Sequence, residues 1–341
     1  MEVAGAQRSP IASPPASPAH GGTMAARVQA AEARTPLLLV KTGGPGRRRL
    51  LQSLSAPGNL YIVCMSEERN WADPYVDEWL MDPTTDHEQG IARVQQFMRE
   101  RGIVFQGVLS YDEYGTELAA HIAAALKLPG IRPENIHVIR NKLALRQLCQ
   151  RHGVPSPRTL RLNGHGVVVR SEQHLQQMLA EAGMAFPLVV KPTHGAGKYA
   201  VRRVDSAAEM FKAIVDFRDN VDAFIKRWVL PRDHAEGLFA ETLLQGGPEV
   251  DVDFVASRGR LVFMSINENR TAIGPGFAEA GGHCPPTFSA AVYESICQLT
   301  KVGGKQAKRK KERRRRRQRR RAGRRDTKKT GARARLKQPE K

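Results

Sequence analysis

The chain has 341 residues and a formal net charge of +20. That charge is local: residues 301–341 hold 22 Lys and Arg against 3 Asp and Glu, leaving the first 300 residues at +1. No apolar run approaches the ~18–20 residues that cross a bilayer. The four cysteines, Cys64, Cys149, Cys284 and Cys297, show no CxxC and no close metal spacing, so a membrane span and a zinc or disulfide scaffold are both excluded, and reduced thiols in the cytoplasm are expected.

Residues 1–35 are rich in Ala, Pro, Ser and Gly, with only Glu2 and Glu32 acidic. They cannot bury enough apolar surface to order themselves and read as a disordered leader. An acid-poor organelle-targeting segment is the other reading of the same composition. From Pro36 the pattern turns α/β. Pro36 to Val40 predicts a buried strand, followed by the turn Lys41-Thr-Gly-Gly-Pro-Gly-Arg47 and a short helix to Leu54. Leu60 to Met65 predicts a second strand, Thr85 to Arg101 a helix with Ile91, Val94, Phe97 and Met98 on one face, Ile103 to Ser110 a third strand, and Glu117 to Leu128 another helix. Strands alternating with helices imply a parallel sheet with crossover connections. The 41–47 turn lacks the third glycine of a dinucleotide fingerprint and remains a weak anion loop. Asp112 and Glu113 fall just past the third strand, either as a solvated turn or at the carboxyl edge where such sheets bind ligands.

Asn141 to His152 predicts a helix that carries Lys142 in its first turn. A cation is disfavoured there by the helix dipole, so it either recruits an anion or is a plain surface residue. Ser171 and Ser206 read as N-caps, with Ser206-x-x-Glu209 fitting a capping box.

The most informative stretch is Phe186 to Val204, FPLVVKPTHGAGKYAVRRV. An apolar run ends at Lys191, a loop from Thr193 to Lys198 bears Gly195 and Gly197, and a second β-prone run covers Tyr199 to Val204. Such a loop presents backbone N–H groups to an anion, with two lysines adding charge; the other reading is an ordinary hairpin with a lysine at each end. A Walker A loop is excluded, because Tyr199 follows Lys198 and Pro192 stands where the first glycine belongs. Further on, Leu238 to Leu244 is apolar except for Glu241 and Thr242, and Gln245-Gly-Gly-Pro248 turns the chain. Glu249-Val-Asp-Val-Asp253 then alternates, so its three carboxylates share one strand face, open to water or to a ribose or metal. Leu261 to Ile266 is the return strand.

In this order the residues resemble the ATP-grasp superfamily of carboxylate–amine ligases: Lys142, Lys191, the Gly195/Gly197 loop, Glu241-Thr-Leu-Leu244 as a hinge, and Glu249 after Gly-Pro. Phe277 to Pro286 resembles the substrate segment of its amino-acid ligases. Asp112 to Ala120 with Leu128-Pro-Gly130 resembles the carnosine-synthase-like branch. The resemblance implies an ATP-grasp fold, with a pre-ATP-grasp parallel α/β domain over 36–132 and the grasp over 133–300. It implies ATP and Mg²⁺ as cofactors and small-molecule carboxylate and amine substrates, joined through an acyl phosphate. Lys142, Lys191 and the loop with Gly195, Gly197 and Lys198 would hold phosphates. Glu241 and the backbone at Leu243 and Leu244 would hold adenine, and Glu249 the ribose. Arg270 is the candidate at the reacting carboxylate, and Glu279 and His283 are candidates for substrate contact.

The metal ligands of the superfamily lie beyond the substrate segment, and no Glu followed by Glu-x-Asn appears there, so the last part of the fold is expected to be absent and this form inactive. Residues 301–341 instead form a low-complexity, Arg-rich tail. It reads as a polyanion binder, making nucleic acid a partner through the tail alone, as a nuclear signal, or as sequence foreign to the domain. A non-catalytic polyanion-binding protein is accordingly the alternative function. Homo-oligomerisation is left open.

Overall fold

The computed structural model describes residues 29, 31–82, 86–228, 237–258, 260–270, 274, 276–278 and 280–300. The expectations for Glu279, for the tail from residue 301 and for the leader up to residue 28 lie outside these; the end of the leader, expected to be disordered to residue 35, is instead ordered, because Ala31 is buried in the core and Arg34 pairs with Asp77 at 2.8 Å. Among the described residues no helix is long and apolar enough to cross a membrane. The chain divides into two compact units. The first comprises Met1–Leu145, Pro192–Gly197 and Val215–Gly237; the second comprises Arg146–Lys191, Lys198–Ile214 and Leu238–Lys341.

The first unit is built on a parallel four-stranded sheet in the order β3-β2-β1-β4, from β1 (Thr35–Val40), β2 (Leu60–Ser66), β3 (Glu78–Met81) and β4 (Gly107–Leu109). Alternate residues enter two cores. Leu38, Val40, Tyr61, Val63 and Met65 join one, and Leu39, Ile62 and Cys64 join the other. Both faces are therefore covered, which is why these strands read as continuous apolar runs. Helix α1 (Arg48–Ser55) buries Leu51 in the second core. Helices α2 (His87–Arg101) and α3 (Thr116–Ala125) serve the first. Asp86 caps α2 by accepting from Gln89 N–H at 2.9 Å, and Gly102 ends it at φ +65°. The expected third strand is shorter than its apolar pattern. Ile103 and Phe105 are buried in the first core, and sheet pairing starts only at Gly107.

In the second unit a five-stranded sheet runs β6-β5-β9-β7-β8, from β5 (Thr159–Gly164), β6 (Val167–Val168), β7 (Leu188–Pro192), β8 (Arg202–Val204) and β9 (Leu238–Thr242). β8 begins at Arg202 rather than Tyr199, because Lys198 and Ala200 take left-handed φ of +56° and +53°, which a strand cannot accommodate. Ser171 caps the helix Glu172–Glu181, and Ser206 accepts from Glu209 N–H at 3.2 Å as its capping box predicts. A separate antiparallel sheet holds β10 (Glu249–Ser257), β11 (Arg260–Asn269) and β12 (Gly282–His283), and a last helix covers 290–300.

Candidate nucleotide site

In the second unit β9 lies between β5 and β7, so the carboxyl ends of two buried strands bring their polar residues together. Leu188 and Val190 of β7 are fully buried, and Lys191 follows them. Leu238, Phe239 and Ala240 of β9 are buried, and Glu241 follows. The Lys191 ammonium donates to Glu241 Oε1, and the Arg146 guanidinium donates through Nε to Oε2 at 3.0 Å. The side chains of Lys191 and Glu241 are 13% and 9% exposed, and that of Arg146 34%. Lys191 Nζ also lies 5.6 Å from the centre of the Phe239 ring. A carboxylate this deep is sustained only because each oxygen has a cationic donor. Burial pushes the Lys191 ammonium below the ordinary lysine range. Glu241 opposes that shift, Arg146 adds to it, and Glu249 opposes it.

In the first unit the loop that follows β7 is held from several sides. Thr193 N–H donates to Gly237 O at 2.8 Å, and Lys142 N–H donates to Thr193 O at 2.8 Å. The Lys142 ammonium reaches Gly195 O at 2.6 Å. Helix α4 (Pro133–Arg140) ends just before Asn141, and Lys142 starts helix α5 (Lys142–Arg151), where Asn141 Oδ1 accepts from Ala144 N–H at 3.0 Å in capping geometry. Thr193 and His194 are buried, with Thr193 Oγ1 3.1 Å from His194 Nδ1. Gly195 has φ +120°, which favours glycine, and a Cβ on it would lie 3.1 Å from the Phe224 ring and crowd it. Gly197 follows at φ +61°. The pairing of Lys142 with a loop carbonyl was not foreseen from its place in the first helical turn.

The hinge leaves β9 at Leu243, and Leu244 is 74% exposed. Glu249 opens β10 opposite Asn269. The expected carboxylate face is present, with amide partners: Asn269 donates to Asp251 and Asn267 to Asp253, each at 3.0 Å. Arg270 and His283 lie near the same end of this sheet. Arg270 N–H donates to Gly281 O at 2.9 Å, and His283 pairs with Glu268 in register. Glu268 Oε2 accepts from Thr287 N–H and Oγ1 at 2.6 and 2.7 Å, and those bonds hold its carboxyl below the usual carboxylate range. Among the described residues no group of three His, Cys, Asp or Glu side chains is arranged to hold a metal ion.

Sequence reasoning placed Lys191 and Glu241 separately, and the structure joins them. It missed Arg146 as the second donor to that carboxylate. The available signal was its position four residues after Lys142 on one helix, the spacing that aligns side chains on a common face.

No family model matches the chain. It is 29% identical over 182 residues to the carbamoyl phosphate synthase large chain of Deinococcus radiodurans, covering 53% of this chain and 16% of that one. It is 24% identical over 266 residues to human carnosine synthase 1, covering 76% and 31%. The chain thus spans under a third of the length of either relative. Among solved structures, the L-amino acid ligase from Bacillus licheniformis superposes with a TM-score of 0.62 at 21% identity, over 80% of this chain and 60% of that one. An N5-carboxyaminoimidazole ribonucleotide synthetase solved with ADP gives 0.57 at 15%, over 81% and 64%. The architecture is the ATP-grasp fold. In sequence the chain is similar to a carbamoyl phosphate synthase large chain and to carnosine synthase 1.

Proposed function

We propose that the chain binds ATP for the ligation of a carboxylate, such as that of an amino acid, to an amine. The observation that carries this reading is the Lys191–Glu241 pair at the ends of β7 and β9. Adenine offers an acceptor, N7, beside a donor, the 6-amino group, whereas guanine offers two acceptors on that edge. A lysine donor beside a carboxylate acceptor matches adenine and sets a carboxylate against the guanine oxygen. Both groups keep capacity for it, since an ammonium has three donors and a carboxylate about four acceptor sites.

On this reading the backbone at Leu243 and Leu244 completes the purine contacts, and Glu249 takes the ribose hydroxyls. Lys142, Lys198 and the N–H groups around Gly195 and Gly197 take phosphates, while Lys191, expected among the phosphates, is assigned to the adenine edge because it pairs with Glu241. When bound, the nucleotide supplies the phosphoryl group that turns a carboxylate into an acyl phosphate, from which an amine displaces phosphate. Arg270 would neutralise the carboxylate substrate. His283 and, outside the described residues, Glu279 would contact the substrates. Mg²⁺ is expected with the nucleotide. The described residues offer no three-ligand group for it, so no ligand is assigned.

Calorimetric titration tests the reading. ATP should bind at least about tenfold tighter than GTP, a gap of about 1.4 kcal/mol, and Lys191→Ala should abolish the preference together with most of the affinity. Equal binding of ATP and GTP, or unchanged ATP binding in a folded Lys191→Ala variant, would overturn it.

A further inference from the structure

We propose a second ligand site, at the carboxyl edge of the parallel sheet in the first unit, that takes a zwitterionic α-amino acid between Arg47 and Asp112. The strand order β3-β2-β1-β4 reverses direction at β1: the chain runs from β1 outward to β2 and β3, then returns to place β4 on the other side. The segments leaving β1 and β4 therefore flank the crevice where open parallel sheets bind ligands. The first is the Lys41–Arg47 turn and the second is Ser110 to Gly115.

Gly43 is where they meet. Its φ is +62°, and a Cβ on it would lie 2.9 Å from Arg47 Nε and 3.1 Å from Asp112 Oδ2. A positive and a negative side chain thus converge over one bare backbone carbon, yet they form no ion pair with each other. Neither has another ionic partner among the described residues. Each is fixed by its surroundings. The Arg47 guanidinium stacks 5.9 Å from the centre of the Tyr111 ring, which packs on the second core. Asp112 spends Oδ1 on Tyr114 N–H at 2.9 Å. The Gly43 carbonyl is held by Trp71 Nε1 at 2.9 Å.

Arg140, the last residue of the helix Pro133–Arg140, supplies the contrast on the same loop. It stacks 5.8 Å from the centre of the Tyr114 ring and is paired with Glu113. Arg47 has the same aromatic support and no carboxylate. A lone anion at Arg47 would meet Asp112, and a lone cation at Asp112 would meet Arg47. A molecule with a carboxylate and an ammonium one carbon apart satisfies both through charge-assisted bonds.

The site goes beyond the nucleotide reading and is tested without nucleotide, so either can fail alone. The full chain is titrated with glycine, L-alanine, glycinamide, which lacks the carboxylate, and N-acetylglycine, which lacks the ammonium. Glycine or L-alanine should bind saturably, with both blocked analogues about tenfold weaker or worse. Arg47→Gln and Asp112→Asn, which keep hydrogen-bonding capacity, should each weaken binding about tenfold, while Arg48→Gln one residue away should not. No saturable binding of either amino acid, binding of glycine no tighter than its blocked analogues, or wild-type binding in both variants would each overturn the proposal.

Discussion

Lys191 at the end of β7 and Lys142 at the start of α5 are answered differently. Lys191 faces a carboxylate that it shares with Arg146, in a largely buried setting. Lys142 faces the neutral carbonyl of Gly195. The strand ends therefore hold two cations on one shared carboxylate, whose members depend on one another, and the helix start holds an ammonium that ties the helix to the loop through a backbone oxygen. Buried charge pairs are costly to break singly, while a hydrogen bond to a carbonyl is cheap to lose. The first arrangement supports a fixed donor–acceptor edge, and the second fixes the loop at Gly195.

The sharpest way to break that contrast is Glu241→Ala. It leaves Lys191 and Arg146 without their shared counterion, and the expected loss is about 3 kcal/mol in denaturant unfolding. Glu241→Gln should fall between that variant and wild type, because it keeps the shape and one acceptor. A loss under about 1 kcal/mol would mean the cluster behaves like an exposed pair. Next comes Lys191→Ala, with ATP affinity down about a hundredfold by calorimetry, a change of about 2.7 kcal/mol. Gly195→Ala follows, at about 1–2 kcal/mol of stability, since alanine at φ +120° is strained and its Cβ crowds Phe224. Lys142→Ala should cost about 1 kcal/mol of stability, the net value of the hydrogen bond to Gly195 O that it loses. A loss from Lys142→Ala as large as that from Glu241→Ala would erase the distinction between the two lysines.

The sequence carried the parallel sheet because a strand buried on both faces has to be apolar throughout, and Leu37 to Val40 and Tyr61 to Met65 are. It carried the hairpin of β10 and β11 because alternation along Glu249 to Asp253 survives exposure. β3 was not legible, since Glu78-Trp-Leu-Met81 is four residues long and opens on a carboxylate. That carboxylate is buried through bonds from Tyr61 Oη at 3.2 Å and Arg101 Nε at 2.6 Å, partners 17 and 23 residues away. Lys191 and the Gly195 loop stood out because a charge at a strand end and paired glycines are local signals. The Arg146–Glu241 contact bridges 95 residues, and its one local trace is the i, i+4 spacing of Arg146 from Lys142. The convergence of Arg47 and Asp112 over Gly43 escaped for the same reason.

The smallest expected effect concerns protons at the strand ends. Because burial outweighs Glu241 in setting its titration, Lys191 releases its proton at a lower pH in the folded chain than in the unfolded one. Between the folded value and the unfolded value of about 10.4 the unfolded state binds more protons, so stability rises with pH across that window. Lys191→Met has no such proton to lose. Denaturant midpoints of wild type and Lys191→Met measured from neutral pH to about 10.4 should therefore shift in favour of wild type as pH rises. A difference that stays constant would mean that Glu241 fully offsets burial. A shift in the opposite direction would make Glu241 the dominant influence and Lys191 a conventional ion-pair lysine, whose stabilisation fades as it deprotonates.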